Sequence, residues 1–322
     1  MIKKFAQTIP FMSKYYPALI LLAGLIYTGT ATAQQNYLPY EIGMKKASSE
    51  GRDLPRTIFT VYSTRDEALR EENSDSLSYR LLNGIWKFRH FDSPTPSVRE
   101  MADSLFDDSA WQEVTVPHGW TGERKSETNA GVGVYRRQFS IPNIWDFKDI
   151  FLHIGASDKA TVIYVNGHKV GFNKDSRNPS EYDITRYSQE GLNQITVFCY
   201  EWSNEAALEE QDTPQRYGLL NDCYIFMQPK IRIRSYVVEP RLSDDRTKGS
   251  LQFGVILKSN MLNERESRLI YEVIDDSNGK LLARETKNVL QRLRSEDTVY
   301  FNTFIPDVKK WSPEEPNLYS VV

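Results

Sequence analysis

The sequence predicts an all-β protein made of two successive β-sandwiches. Three observations carry this. The 322 residues exceed the size at which one hydrophobic core keeps growing, so two domains are expected. Aromatic residues make up 12% of the chain, with 18 Tyr and 15 Phe, side chains that suit the half-buried pleated surface of a sheet. Short stretches of apolar/polar alternation recur between Gly, Pro, Asn and Asp, with few windows of helical period.

The chain opens with the parts of an export signal: Lys3, Lys4 and Lys14, the apolar run Ala18 to Ile26, and the small residues Ala31-Thr32-Ala33. We expect cleavage after Ala33 and a secreted or periplasmic product, with 1–33 as the signal peptide. An uncleaved anchor is the alternative, but the apolar run is shorter than the ~20 residues a spanning helix needs, and no later segment could span. Residues 34–78 are polar and weakly periodic, with Pro39, Pro55 and a charged run from Arg65 to Asn73, and read as a lead-in arm. From Tyr79 the character changes. Leu82-Asn83-Gly84-Ile85-Trp86-Lys87-Phe88 has a turn signal followed by alternation, and Val134 to Ile141, Asp149 to Ile154, Thr161 to Val165, Gln194 to Trp202 and Cys223 to Met227 are β-rich. Asn166-Gly167 predicts a two-residue hairpin, because both positions of a type I′ turn need φ > 0. This block, 79–229, reads as a sandwich or jelly roll. A second block, 230–322, alternates through Lys230 to Val238, Leu251 to Lys258, Arg268 to Ile274, Lys280 to Glu285 and Thr298 to Phe304, with a hairpin connection at Asp275-Asp276-Ser277-Asn278-Gly279. It suits an immunoglobulin-like sandwich that stops near its last strand, at Tyr319-Ser320-Val321-Val322.

A net charge of -3 and a pI near 5.9 give no electrostatic reason to expect a nucleic-acid partner, so a neutral ligand is expected. Cys199 and Cys223 read first as buried thiols; a disulfide closing a loop of about 24 residues, worth ~3 kcal/mol, is the alternative. Two Cys and the scattered His90, His118, His153 and His168 do not make a zinc site. There is no Gly-x-Ser-x-Gly elbow, phosphate loop or His-Glu-x-x-His. His118 is expected to be structural. Trp86, Trp111 and Trp202 are expected to anchor cores, and Asp107, Asp108, Glu209 and Glu210 to be solvated surface charges, because sequence neighbours cannot form a matched acid and nucleophile across a cleft.

Several segments, taken in order, resemble landmarks of one family. They are Leu82-Asn83-Gly84-Ile85-Trp86-Lys87-Phe88, Val114-Thr115-Val116-Pro117-His118-Gly119-Trp120, Gly133-Val134-Tyr135-Arg136-Arg137-Gln138-Phe139, Tyr164-Val165-Asn166-Gly167, Ser176 to Thr185, and Trp202-Ser203 followed by Leu208-Glu209-Glu210-Gln211-Asp212. Together they look like the galactose-binding-like jelly roll of glycoside hydrolase family 2. The ending Trp311 to Tyr319 resembles the close of that family's immunoglobulin-like domain. The Leu-Glu-Glu-Gln-Asp segment looks most like the β-galactosidase branch.

The resemblance implies that Asp212 reaches into the active site of a neighbouring catalytic barrel, where it would help hold galactose hydroxyls and, with that barrel present, a sodium ion. A carboxylate suits both tasks, as a double acceptor and a hard oxygen ligand. Asn129 is the nearest candidate for a second sugar contact of the family; it aligns only with one extra residue before Tyr135, and its role is expected not to be retained. The family's Trp-Arg pair after the Asp is Pro214-Gln215 here, its Phe-Arg-Asp is Leu220-Asn221-Asp222, and the loop between Trp120 and Tyr135 is short. The resemblance places the two catalytic glutamates in a (β/α)₈ barrel after the immunoglobulin-like domain. The chain is therefore expected to be the non-catalytic N-terminal portion of a β-galactosidase-like hydrolase, with no intrinsic cofactor. The alternatives are a free-standing secreted module that binds a β-galactoside or other neutral glycan, and a scaffold for a separately encoded barrel.

Overall fold

The computed structural model describes residues 48–70, 77–94, 96–123, 125, 129–209 and 215–322. The expected export signal, and with it cleavage after Ala33, lies outside the described residues. The described chain is all-β, as expected, and every paired strand in it is antiparallel.

The first sandwich faces a seven-stranded sheet against a four-stranded one. With strands numbered along the chain, the larger sheet runs β1 (Ser49–Glu50), β9 (His168–Asn173), β8 (Ala160–Val165), β11 (Gly191–Tyr200), β6 (Val132–Ile141), β3 (Gly84–Phe91), β4 (Gln112–Val116). The smaller runs β10 (Ser180–Asp183), β7 (Asp149–Ile154), β13 (Cys223–Gln228), β2 (Tyr79–Leu81). Side chains alternate between faces at period two. On β11, Ile195, Val197 and Cys199 enter the core between the sheets with Trp86, Tyr135, Leu152 and Ile225, while Phe198 and Tyr200 join Val132, Val134 and Phe172 on the opposite face. That opposite face is covered by Met101 of α2 (Val98–Ala102), by Trp111 and by Phe106. Arg136, 1% exposed, pins the cover: its Nε donates to Asp108 at 2.7 Å, its Nη2 to the Asp103 carbonyl at 3.0 Å and its Nη1 to the Met101 carbonyl. Asp108 is thus an ion-pair partner, not the solvated charge expected, because the sequence gives no sign that Arg136 is buried.

The four-stranded sheet has an aromatic outer face as well as an apolar inner one. Cross-strand neighbours there are Glu181 with His153, His153 with Tyr224, Phe151 with Phe226, and Phe226 with Tyr79. An aromatic face is not left to water, and the arm covers part of it. The Arg56 guanidinium binds both Glu181 oxygens, at 2.6 and 2.8 Å, and lies 5.1 Å from the Phe226 ring centre. The arm also supplies β1 and the helix α1 (Arg65–Arg70). Cys199 and Cys223 are free and buried, as the thiol reading expects; burial raises the pKa of both, that of Cys223 to about 12.

The second sandwich faces β14 (Ile231–Leu242), β15 (Gly249–Ser259) and β18 (Glu296–Ile305) against β17 (Lys280–Gln291), β16 (Arg265–Asp275) and β19 (Tyr319–Val321). Its core is Val255, Leu257, Tyr271, Val273 and Phe301, with Tyr271 and Phe301 stacked at 4.7 Å. Both predicted hairpin connections are present: Asn166 and Gly167 have φ of 49° and 78°, and Gly279 has φ of 69°. At the junction of the sandwiches, Asp149, 3% exposed, accepts from Arg232 at 2.7 Å and also binds Lys230 and Asn260. Arm residue Thr57 hydrogen-bonds Ser235 and the Tyr236 carbonyl, each at 3.0 Å.

Candidate functional site

One end of the first sandwich is closed by a small sheet of its own, β5 (His118–Thr121) paired with β12 (Arg216–Leu219), which sets Trp120 opposite Tyr217 and Gly119 opposite Gly218. Glycine is required at 218: φ is 117°, and a Cβ there would lie 2.6 Å from both the His118 carbonyl oxygen and the Tyr135 hydroxyl. The Trp120 indole lies over Gly133, where a Cβ would come within 2.4 Å of the ring, and packs on Phe88 and Tyr217 at 5.4 and 5.8 Å between ring centres.

Beneath Trp120 sits Glu201, the residue after β11, with a side chain 3% exposed. Its carboxylate accepts from Trp120 Nε1 at 2.8 Å, the Gly131 backbone N–H at 2.8 Å and His90 Nε2 at 3.0 Å, with Lys125 Nζ at 3.7 Å. Facing an acceptor-only carboxylate, His90 must carry its proton on Nε2. Burial pushes the Glu201 pKa up, but the donors His90, Trp120 and Gly131 outweigh it and bring the value to about 2. A permanently ionised, fully engaged carboxylate cannot donate a proton near neutral pH. It acts as a clamp. The Glu201 N–H returns a bond to the Gly131 carbonyl at 3.1 Å, so β11 is tied to the loop before β6.

His118 is structural, as expected. Its Nδ1 is hydrogen-bonded to the Tyr135 hydroxyl at 2.7 Å, and burial, followed by the nearby Arg216, lowers its pKa. Trp86 and Trp111 are core residues, 1% and 5% exposed, Trp86 between the sheets and Trp111 on the covered face, where Trp202 packs partly buried.

The segment after Glu201 is anchored as well. Lys174, with no exposed side-chain surface, meets Glu205 at 2.9 Å, and Glu209 of α3 (Ala206–Glu209) accepts from the Ser176 N–H at 3.1 Å and from its hydroxyl. Glu209 is therefore a tether, not the solvated charge expected; the sequence could not show that the Ser176 loop lies against it. Glu210 and Asp212 fall outside the described residues. The chain is described again from Gln215, and Arg216 pairs with Thr121. Asn129 is exposed, two residues before the Gly131 that Glu201 holds. The clamp thus ties down the loop carrying Asn129, and the Glu209 tether holds the chain just before the segment in which Asp212 lies.

Among the described residues no three His, Cys, Asp or Glu side chains are grouped to hold a metal ion. Reading the sequence missed Glu201. Its signal was a lone carboxylate directly after the apolar run Ile195 to Tyr200, a position where a charge has to be paired.

Two family models match this chain. That of the sugar binding domain of glycosyl hydrolases family 2 covers residues 79–229, and a second model of glycosyl hydrolases family 2 covers 231–322. The chain is 26% identical over 294 residues to a β-galactosidase of Priestia megaterium, covering 84% of the chain and 28% of that relative. It is 29% identical over 263 residues to a β-galactosidase of Photobacterium profundum, covering 75% and 25%. The crystal structure of Bacteroides uniformis β-glucuronidase shares the fold, with a TM-score of 0.67 and 24% identity over 76% of this chain and 29% of that one. A putative β-galactosidase from Bacteroides fragilis does too, with a TM-score of 0.63 and 16% identity over 76% and 38%. The chain spans only 28% and 25% of the two curated relatives.

Proposed function

This chain belongs to glycosyl hydrolase family 2, and from that premise we propose that it is the sugar-recognising, non-catalytic N-terminal portion of a secreted or periplasmic β-galactoside hydrolase. The carrying observation is a pair of anchors: the clamp at Glu201 fixes the loop with Asn129 at one end of the jelly roll, and Glu209 ties the start of the Leu208-Glu209-Glu210-Gln211-Asp212 segment to Ser176. In this reading the working carboxylates belong to a (β/α)₈ barrel. Asp212 would hold galactose hydroxyls and, with barrel groups, a sodium ion, which would supply a fixed positive charge there. The chain's own task is to orient the substrate, and the unusual Pro214-Gln215 and Leu220-Asn221-Asp222 make its contacts differ from the family's common ones.

Purified chain is expected to leave nitrophenyl β-galactoside unhydrolysed. A hybrid in which it replaces the matching region of the Priestia megaterium enzyme should hydrolyse it. In the hybrid, Asp212→Ala should lower kcat/KM by about 100-fold, roughly 3 kcal/mol of transition-state stabilisation, with an unchanged melting temperature. Turnover by the chain alone, or an Asp212→Ala hybrid with full activity, would overturn the reading.

A further inference from the structure

The arm leaves part of the aromatic outer face of β10-β7-β13-β2 open. Between the two lies a cleft of about 260 Å³ whose walls include Tyr79, Tyr224, Phe226, Asp222 and Gln228 from the sheet side and Phe59 from the arm. Drug-sized sites occupy ~300 to 1,000 Å³, so a space of this size suits one small ring. We propose that this cleft is a second carbohydrate site that takes a single neutral pyranose ring, such as the terminal residue of a β-galactoside.

Three features point to that ligand. The first is an aromatic wall with a fixed orientation. Tyr224 is stacked on His153 with 4.2 Å between centres and 12° between planes, and Tyr79 lies 4.7 Å from Tyr224. His153 is in turn held by Glu181 at 3.0 Å. Both tyrosines are partly exposed, and rigid aromatic surface of this kind accepts the C–H face of a sugar with little entropy cost. The second is an unmet donor. Gln228 is 3% exposed, yet its Nε2 has no hydrogen-bond partner among the described residues. A buried amide left unsatisfied is costly, and because Gln228 lines the cleft, a turn of its amide towards that space would let a sugar hydroxyl meet the donor. The third is charge. Arg56 and Glu181 neutralise each other at 2.6 Å. Asp222 at the rim accepts from Asn83 at 2.7 Å and has no ion-pair partner among the described residues, so it can accept a hydroxyl and will repel a carboxylate. A neutral hexose is therefore preferred to a uronic acid.

The proposal makes no use of Asp212, so its failure leaves the reading of the previous subsection standing. The test is titration calorimetry and saturation-transfer NMR of the whole chain with methyl β-D-galactopyranoside and with methyl β-D-glucuronide. Saturable, millimolar binding of the galactoside is expected, with saturation transferred to ring C–H protons and weaker binding of the glucuronide. Gln228→Met removes an amide nitrogen that bonds nothing in the protein, so it should leave the melting temperature unchanged and weaken binding at least about fivefold. Tyr79→Ala, on the edge strand β2, should weaken it similarly, and Asp212→Ala should leave it unaltered. Absence of binding, tighter binding of the glucuronide, binding indifferent to both Gln228→Met and Tyr79→Ala, or binding lost in Asp212→Ala would each overturn the proposal.

Discussion

Glu201 shows how one buried side chain can hold together residues from separate stretches of the chain. Three N–H donors and a nearby ammonium converge on a carboxylate that is 3% exposed, so removing its charge leaves several donors facing a weaker acceptor. Glu201→Gln is expected to destabilise the fold by about 2 kcal/mol in urea denaturation. The pH dependence follows from the depressed pKa. Stabilisation by Glu201 is complete above its ordinary value of 4.5 and is lost as pH falls towards about 2. The native protein should lose stability across that window, and the Glu201→Gln protein should lose less there. A denaturation series from pH 6 to about 2 measures both. The identity of the clamp residue was legible only as an anomaly, a charge in a buried run. Its partners were not, because His90, Trp120 and Gly131 come from three separate strands or loops that sequence spacing does not bring together.

At the scale of the element, the strands and both hairpin connections were readable, since period-two patterning and turn chemistry are local. The arm was not. Its residues look polar and aperiodic because they answer to a surface already built by other strands: Arg56 reaches Glu181 of β10, and Thr57 reaches Ser235 of β14. Such an element carries no repeat of its own. Its worth can be measured. Arg56→Ala leaves Glu181, whose side chain is 9% exposed, with His153 as its remaining hydrogen-bond partner, and should cost about 3 kcal/mol of stability. Adding Glu181→Gln should recover part of that loss in a double-mutant cycle, because the buried charge is then gone. Full additivity of the two substitutions would show that the arm is not held by this pair.

At the scale of the molecule, the two sandwiches meet through Asp149, a single buried carboxylate that receives Arg232, Lys230 and Asn260 from the second sandwich. Asp149→Ala leaves Arg232, 4% exposed, without that acceptor, and the coupling between the sandwiches should fall with it. Calorimetry is expected to give one cooperative transition for the native chain and two for the Asp149→Ala protein. One unchanged transition in the variant would place the coupling in the arm instead. The sequence marked the two blocks by their turn signals but not their joint, since an acid at the start of one strand has no local mark of a partner more than eighty residues away. The two cysteines gain a use from where they sit. Both sulfurs are enclosed between the facing sheets of the first sandwich and held in the unreactive protonated form, so a thiol reagent can label them only when that sandwich opens. The rate of labelling then becomes a built-in clock for the breathing of the first sandwich.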